Sequence, residues 1–191
     1  MRMGEWWDLI GRARDAVGDR ADDRNLPDDP LPGLLTDLLA ALPPLEIIDF
    51  ASKAVEVARS AYRWPLWNAA YLIEGGCGDD GFMDFRDGLI LLGRATFTRA
   101  VDDPDSLAEL PVVVRMGREE SGWIGFESLH YPIKAAYRSA LGETESFDAA
   151  HEAAVRGMTR PKRPAGDAWD VEDEQETRQR LPKLAALFLG R

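Results

Sequence analysis

The run Gly75-Gly76-Cys77-Gly78-Asp79-Asp80-Gly81 is the densest concentration of chemically useful residues in the chain. Four glycines in seven residues open backbone conformations closed to other side chains, so a tight turn is expected. Two carboxylates follow at a predicted helix start, where the helix dipole and free N–H groups favour negative charge. A turn closed by a helix cap accounts for that much. The acids continue, however: Asp80, Asp84 and Asp87 recur at i, i+4 and i+7, one face of a helix. With Asp79 and Glu74 they could gather oxygen ligands for a divalent cation, the candidate ligands being Asp79, Asp80 and Asp84, or grip an ammonium or guanidinium group. The alternating ligands and closing Glu of a calcium-binding EF-hand loop are missing. Cys77 could serve as a nucleophile if His130 met it in space, since only two histidines are present to act as base.

Arg86, Ile90 and Arg94 form an i, i+4, i+8 stripe, which lays a guanidinium along apolar surface. Glu74, Asp79 and Glu127 are its candidate carboxylate partners, in an ion pair that would lock the turn, the alternative being an anion site. Trp67 belongs to an aromatic stretch beside the turn and could line a pocket, whereas His130 shares an apolar stripe and reads as a core histidine.

The elements that must position these groups read as helices. Trp6, Leu9, Ile10, Ala13 and Val17 mark a helix over residues 5–17. Residues 18–33, rich in Asp and Pro, read as an exposed connection. A short helix is expected over 34–42 and a long one over 44–62, with Ile47, Phe50, Ala51, Ala54, Val57, Ala58 and Ala61 turned inward, then a nearly all-apolar buried helix over 63–73, stopped by Gly75-Gly76. Asp79 or Asp80 would cap a helix running from 81 to about 101. The segment 102–106 breaks it and would cap one further turn through Leu107 and Ala108. Val112-Val113-Val114 is the only stretch of strand composition. A helix over 121–141 carrying Phe126, Leu129, His130 and Ile133, another around Phe147 to Met158, a loop over 159–173 and a last helix over about 175–188, interrupted or started by Pro182, complete the chain. The fold class expected is an all-α, single-domain bundle over 1–191 with at most a minor strand pair.

Composition narrows function. Hydrophobic residues at 45% of 191 suffice for one real core. Acidic residues outnumber basic ones 34 to 23, a net charge of −11 that repels phosphate backbones and anionic lipid, so neither nucleic acid nor membrane is expected as a partner. The basic stretch from Arg156 to Arg163 lacks aromatic interleaving and reads as a solvated linker. One cysteine excludes an intramolecular disulfide and cysteine-rich zinc patterns, and no run approaches the ~20 apolar residues of a membrane span. A reduced, cytoplasmic location is expected. No phosphate-binding glycine loop, dinucleotide fingerprint, nucleophile elbow or His-Glu-x-x-His motif is present.

Several runs resemble the bacterial DUF-4240 family, a domain of unknown function. They are Glu5 to Ile10, Leu66 to Ile73, Gly75 to Arg86, Gly93-Arg94, Asp103 to Ala108 and Gly166 to Asp170. The chain departs from the family in having Gly78 for a common Ser, and Gly88 for an expected large aromatic, which would open space beside the turn. The resemblance implies a cytosolic single-domain protein and assigns no reaction, substrate or cofactor. The functional expectation is a binding or accessory protein whose acidic turn and neighbouring aromatics hold a peptide, a protein or a small cationic ligand. The alternative is an enzyme with a carboxylate site, metal-dependent or not, at the same turn.

Overall fold

The computed structural model describes residues 1–22, 29–159 and 161–190, and the chain is all-α. Its helices are α1 (Met3–Val17), α2 (Leu31–Ala40), α3 (Pro44–Ser60), α4 (Trp64–Glu74), α5 (Asp79–Leu91), α6 (Arg94–Asp102), α7 (Pro111–Met116), α8 (His130–Leu141), α9 (Glu145–Val155), α10 (Glu174–Arg180) and α11 (Pro182–Phe188). Two 3₁₀ segments, Gly18–Asp22 and Pro104–Glu109, join neighbours. One contiguous core runs from Trp6 through Phe50, Leu66, Phe82, Phe85 and Leu89 to Leu184. α3 lies at its centre, touching α1, α5, α8 and α9, while α4 packs between α5 and α11.

The amphipathic stripes predicted for α1 and α3 are the buried faces observed. Proline at the first or second position starts α2, α3, α4, α7 and α11, where a missing N–H costs nothing. The expected connection over 18–33 is partly built: Ala21 is buried in a 3₁₀ turn and Leu31 opens α2 in the core, while 23–28 lie outside the described residues. The valine triplet is helical. Pro111 pre-sets its first turn and Val112 and Val113 enter the core, which overrides β-branched preference. Among the described residues the only strand-like pairing is an isolated bridge between Arg63 and Ala165. It ties the 159–173 loop across the start of α4, where Trp64 N–H also donates to the Ala165 carbonyl at 2.8 Å.

Two predicted long helices are shorter than their periodicity suggests. The helix over 81–101 breaks at Gly93, whose φ of 90° favours glycine. Arg14 reaches this break from α1: its Nη1 donates to the Leu91 carbonyl at 2.8 Å, satisfying one of the free carbonyls at the end of α5. The helix over 121–141 begins only at His130. The residues before it run across α5 instead, Phe126 N–H donating to the Asp84 carbonyl at 2.9 Å and Leu129 N–H to the Asp87 carboxylate at 3.0 Å. Gly88 permits that crossing, because a Cβ there would lie 1.9 Å from the Ile124 carbonyl oxygen. The space expected beside Gly88 is therefore not open; backbone fills it.

No helix among the described residues is long and apolar enough to cross a membrane.

Candidate functional site

α4 ends at Gly75, left-handed at φ 67°, and Gly76 N–H donates back to the Tyr71 carbonyl at 2.9 Å. The predicted stop is therefore present. The predicted caps are different. Extended Gly78 takes the N-cap position of α5, while Asp79 and Asp80 are its first two helical residues, exposed, where the dipole still favours their charge. Consecutive residues sit about 100° apart around a helix, so Asp79 diverges from the Asp80–Asp84 face. Among the described residues no three His, Cys, Asp or Glu side chains are gathered to hold a metal ion. The set Asp79, Asp80 and Asp84 is not assembled as a ligand cage. Asp84 does feel its neighbours: burial first, then Glu127 and Asp80, hold its carboxyl above the ordinary range. Glu127 itself is exposed.

The aromatics beside the turn brace it. Trp67 donates Nε1–H to the Cys77 carbonyl at 2.8 Å and stacks between Trp64 and Phe82, at 5.5 and 4.8 Å between ring centres. Cys77 is half-buried, and its thiol is pushed up to about 11 by burial, helped by Glu74 and Asp84. A thiol held in that state is a poor nucleophile. No hydrogen bond or ring contact joins Cys77 to His130. His130 is not a core histidine either. Half-exposed at the start of α8, it meets the rings of Phe147 and His151 and lies 3.7 Å from Asp148.

Arg86 lies along apolar surface, as the stripe predicted. Nε and Nη1 donate to the carbonyls of Phe82 and Ala58 at 3.1 and 3.0 Å, and the guanidinium covers the rings of Tyr62 and Phe82. These contacts bolt α5 to α3. Arg94, displaced by the break at Gly93, is exposed at the start of α6 and no longer continues the stripe.

Glu74 is the member of the predicted set with the most perturbed environment. Burial pushes its carboxyl up to about 7 against the partial pull of the Ile124 N–H, and its Oε1 is buried with no hydrogen-bond partner. It lines an open cleft of about 610 Å³ where α4, α7 and α11 all end. Glu119 and Glu120 stand on that cleft's rim, Tyr71 and Phe188 on its walls. Glu119 adopts φ 61°, the only described non-glycine residue with a positive φ. Neither glutamate carries a sequence signal; only folding brings residues 119–120 to the end of α4.

A second cleft, of about 350 Å³, lies on the other side of α5, between α3, α8 and α9. Arg86, Asp87 and His130 face it with Arg59 and His151, two residues that sequence spacing did not single out. Asp87, named only as part of the acidic face, is pushed up to about 6, chiefly by burial.

No curated protein and no solved structure matches the chain. The family model for a protein of unknown function, DUF4240, matches residues 1–139. The match contains the turn, α5, the Asp103–Ala108 run and all three glutamates of the open cleft, Glu74, Glu119 and Glu120, and stops short of Gly166–Asp170. On that match the chain belongs to the DUF4240 family.

Proposed function

We propose that this is a binding protein for a cationic group, the side chain of a basic peptide or a small amine or guanidine, seated in the open cleft at the end of the Gly75-Gly76 turn. The observation that carries this reading is Glu74: a carboxylate oxygen without a partner in a wall that offers two further glutamates and no basic residue. An unsatisfied buried carboxylate is costly, and a ligand N–H that approached it would relieve the cost and add a charge-assisted bond. The carbonyl end of α4 adds negative potential at the same place. Tyr71 and Phe188 supply faces for the alkyl or guanidinium part of a ligand. Glu119 in a left-handed conformation stores strain at the rim, as binding loops often do.

The acids Asp79, Asp80, Asp84 and Glu127 contribute a general negative field on the neighbouring face, which speeds encounter with a cation. Enzymatic use of these acids has less support, because they are exposed or dispersed and converge on no common point. The lone, unactivated Cys77 and the absence of any intramolecular disulfide favour a cytoplasmic setting.

Titration with arginine methyl ester and with a short Arg/Lys peptide, followed by calorimetry, tests the proposal. Affinity should rise between pH 6 and 8 as Glu74 ionises, and Glu74→Gln should weaken it about tenfold, the loss of one charge-assisted contact. Equal binding by wild type and Glu74→Gln would sink the reading.

A further inference from the structure

We infer that the chain has a second ligand seat, the cleft between α3, α5, α8 and α9, and that it takes a small carboxylate-bearing molecule with an aliphatic or aromatic body. Its volume of about 350 Å³ is at the small end of ligand pockets, so the occupant is a small molecule. One wall is the apolar face of α3, Ala51, Ala54, Val55 and Ala58, whose small side chains leave room for the body of a ligand. Ile133 of α8 extends that wall from the opposite side.

The polar groups favour an anion. The side chain of Arg59, half-buried in the last turn of α3, makes no ion pair or hydrogen bond among the described residues, and Arg86 is fixed in place by the Phe82 and Ala58 carbonyls. Two guanidinium groups thus face a single lining acid, Asp87, whose Oδ2 accepts the Leu129 N–H. The imidazole Nε2 of His151 is buried with no partner, and His130 stands 6.1 Å from it between ring centres. Outside the lining, Asp148 is shared by Lys134 at 2.5 Å and His130 at 3.7 Å, leaving the cleft itself with a positive balance. Burial and His130 lower the affinity of His151 for a proton. A bound carboxylate reverses that, so the imidazole takes up a proton and donates Nε2–H to the ligand.

A carboxylate suits this cleft better than a phosphate. A doubly charged phosphate gains most where free backbone N–H groups at a helix start add to a guanidinium, and at the start of α8 these are already engaged: Leu129 by Asp87, His130 by the Ser128 hydroxyl. The guanidinium fork of Arg59 and the imidazole of His151 over an apolar wall are what remains, and these match a planar monoanion.

Calorimetric titration at pH 6.0 with phenylacetate and hexanoate, and with phenethylamine as the cationic control, tests the assignment. The acids should bind and the amine should not, with weaker binding at pH 8.0. Arg59→Gln should weaken phenylacetate about tenfold, as the loss of one ionic hydrogen bond requires. Val55→Phe, which fills the apolar wall, should abolish binding, with circular dichroism to verify that the variant folds; Arg59→Gln answers the question if it does not. Glu74→Gln should leave phenylacetate binding unchanged, so failure of the open-cleft reading and failure of this one are separable. Absence of heat with either acid, equal binding of the amine, or full affinity in Arg59→Gln would each overturn the proposal.

Discussion

Glu74 and Asp87 are carboxyls that burial drives toward the neutral form, to about 7 and about 6. Each has a folded-state value above its unfolded one, so the native chain binds more protons through these windows and stability falls as pH rises. Glu74 acts from about pH 4.5 to 7 and Asp87 from about pH 4 to 6. Chemical denaturation should therefore give declining stability from pH 5 to 8. Glu74→Gln should remove much of the upper part of that slope, gaining on the order of 2 kcal/mol at pH 8 over its value at pH 5 relative to wild type. A pH profile unchanged by the substitution would show that the carboxyl is not held in its neutral form. Cys77 gives an independent readout of the same burial. Its thiol, raised from 9.0 to about 11, should alkylate with iodoacetamide at pH 8 about a hundredfold more slowly than a free cysteine. Mass spectrometry of the labelled chain measures this directly, and labelling at the free-thiol rate would contradict it.

At the scale of elements, the site is set by a crossing that glycine allows. The 122–129 segment passes over α5 at Gly88 and brings the Ile124 N–H to Glu74 and the Leu129 N–H to Asp87, so one contact point shapes both clefts. Gly88→Ala should push that segment off α5, at a cost of about 1–3 kcal/mol from overpacking, and should return the Glu74 value toward the ordinary carboxylate range. Denaturant unfolding checks the first effect and the pH profile the second. Glu119 behaves in the opposite sense. Its left-handed backbone is one that glycine adopts without strain, so Glu119→Gly should raise stability by about 1 kcal/mol while weakening cation binding in the open cleft. A variant that is neither more stable nor a weaker binder would remove Glu119 from the site.

At the scale of the whole molecule, the C-terminal helices are bound to the family-matched part by a buried acid. Asp105, in the 3₁₀ segment Pro104–Glu109, accepts N–H donations from Lys183 and Leu184 at 2.9 to 3.1 Å and so caps α11, which has no cap of its own. Asp105→Ala leaves two N–H groups at the start of α11 without acceptors and should cost about 2–3 kcal/mol, with Asp105→Asn intermediate. Because α11 forms one edge of the open cleft, the same variant should weaken cation binding there. A stability change below about 0.5 kcal/mol would show that α11 docks without this cap.

The sequence by itself determined the helical class, the buried faces of α1 and α3, the stop at Gly75-Gly76, and Arg86 as a guanidinium laid along apolar surface. These are local properties: a 3.6-residue period, a glycine that tolerates positive φ, and a charge flanked by apolar residues. It did not determine the ends of α5 and α8. Periodicity continues through Gly93 and back to Ser121, and helix formation there loses to contacts from distant residues, Arg14 at the one and the backbone of α5 at the other. Nor could spacing bring Glu119 and Glu120 to Glu74, or Arg59 and His151 to Arg86. Both groupings join residues far apart along the chain, and only the packing of helices around α3 and α4 decides which of their ends and faces meet.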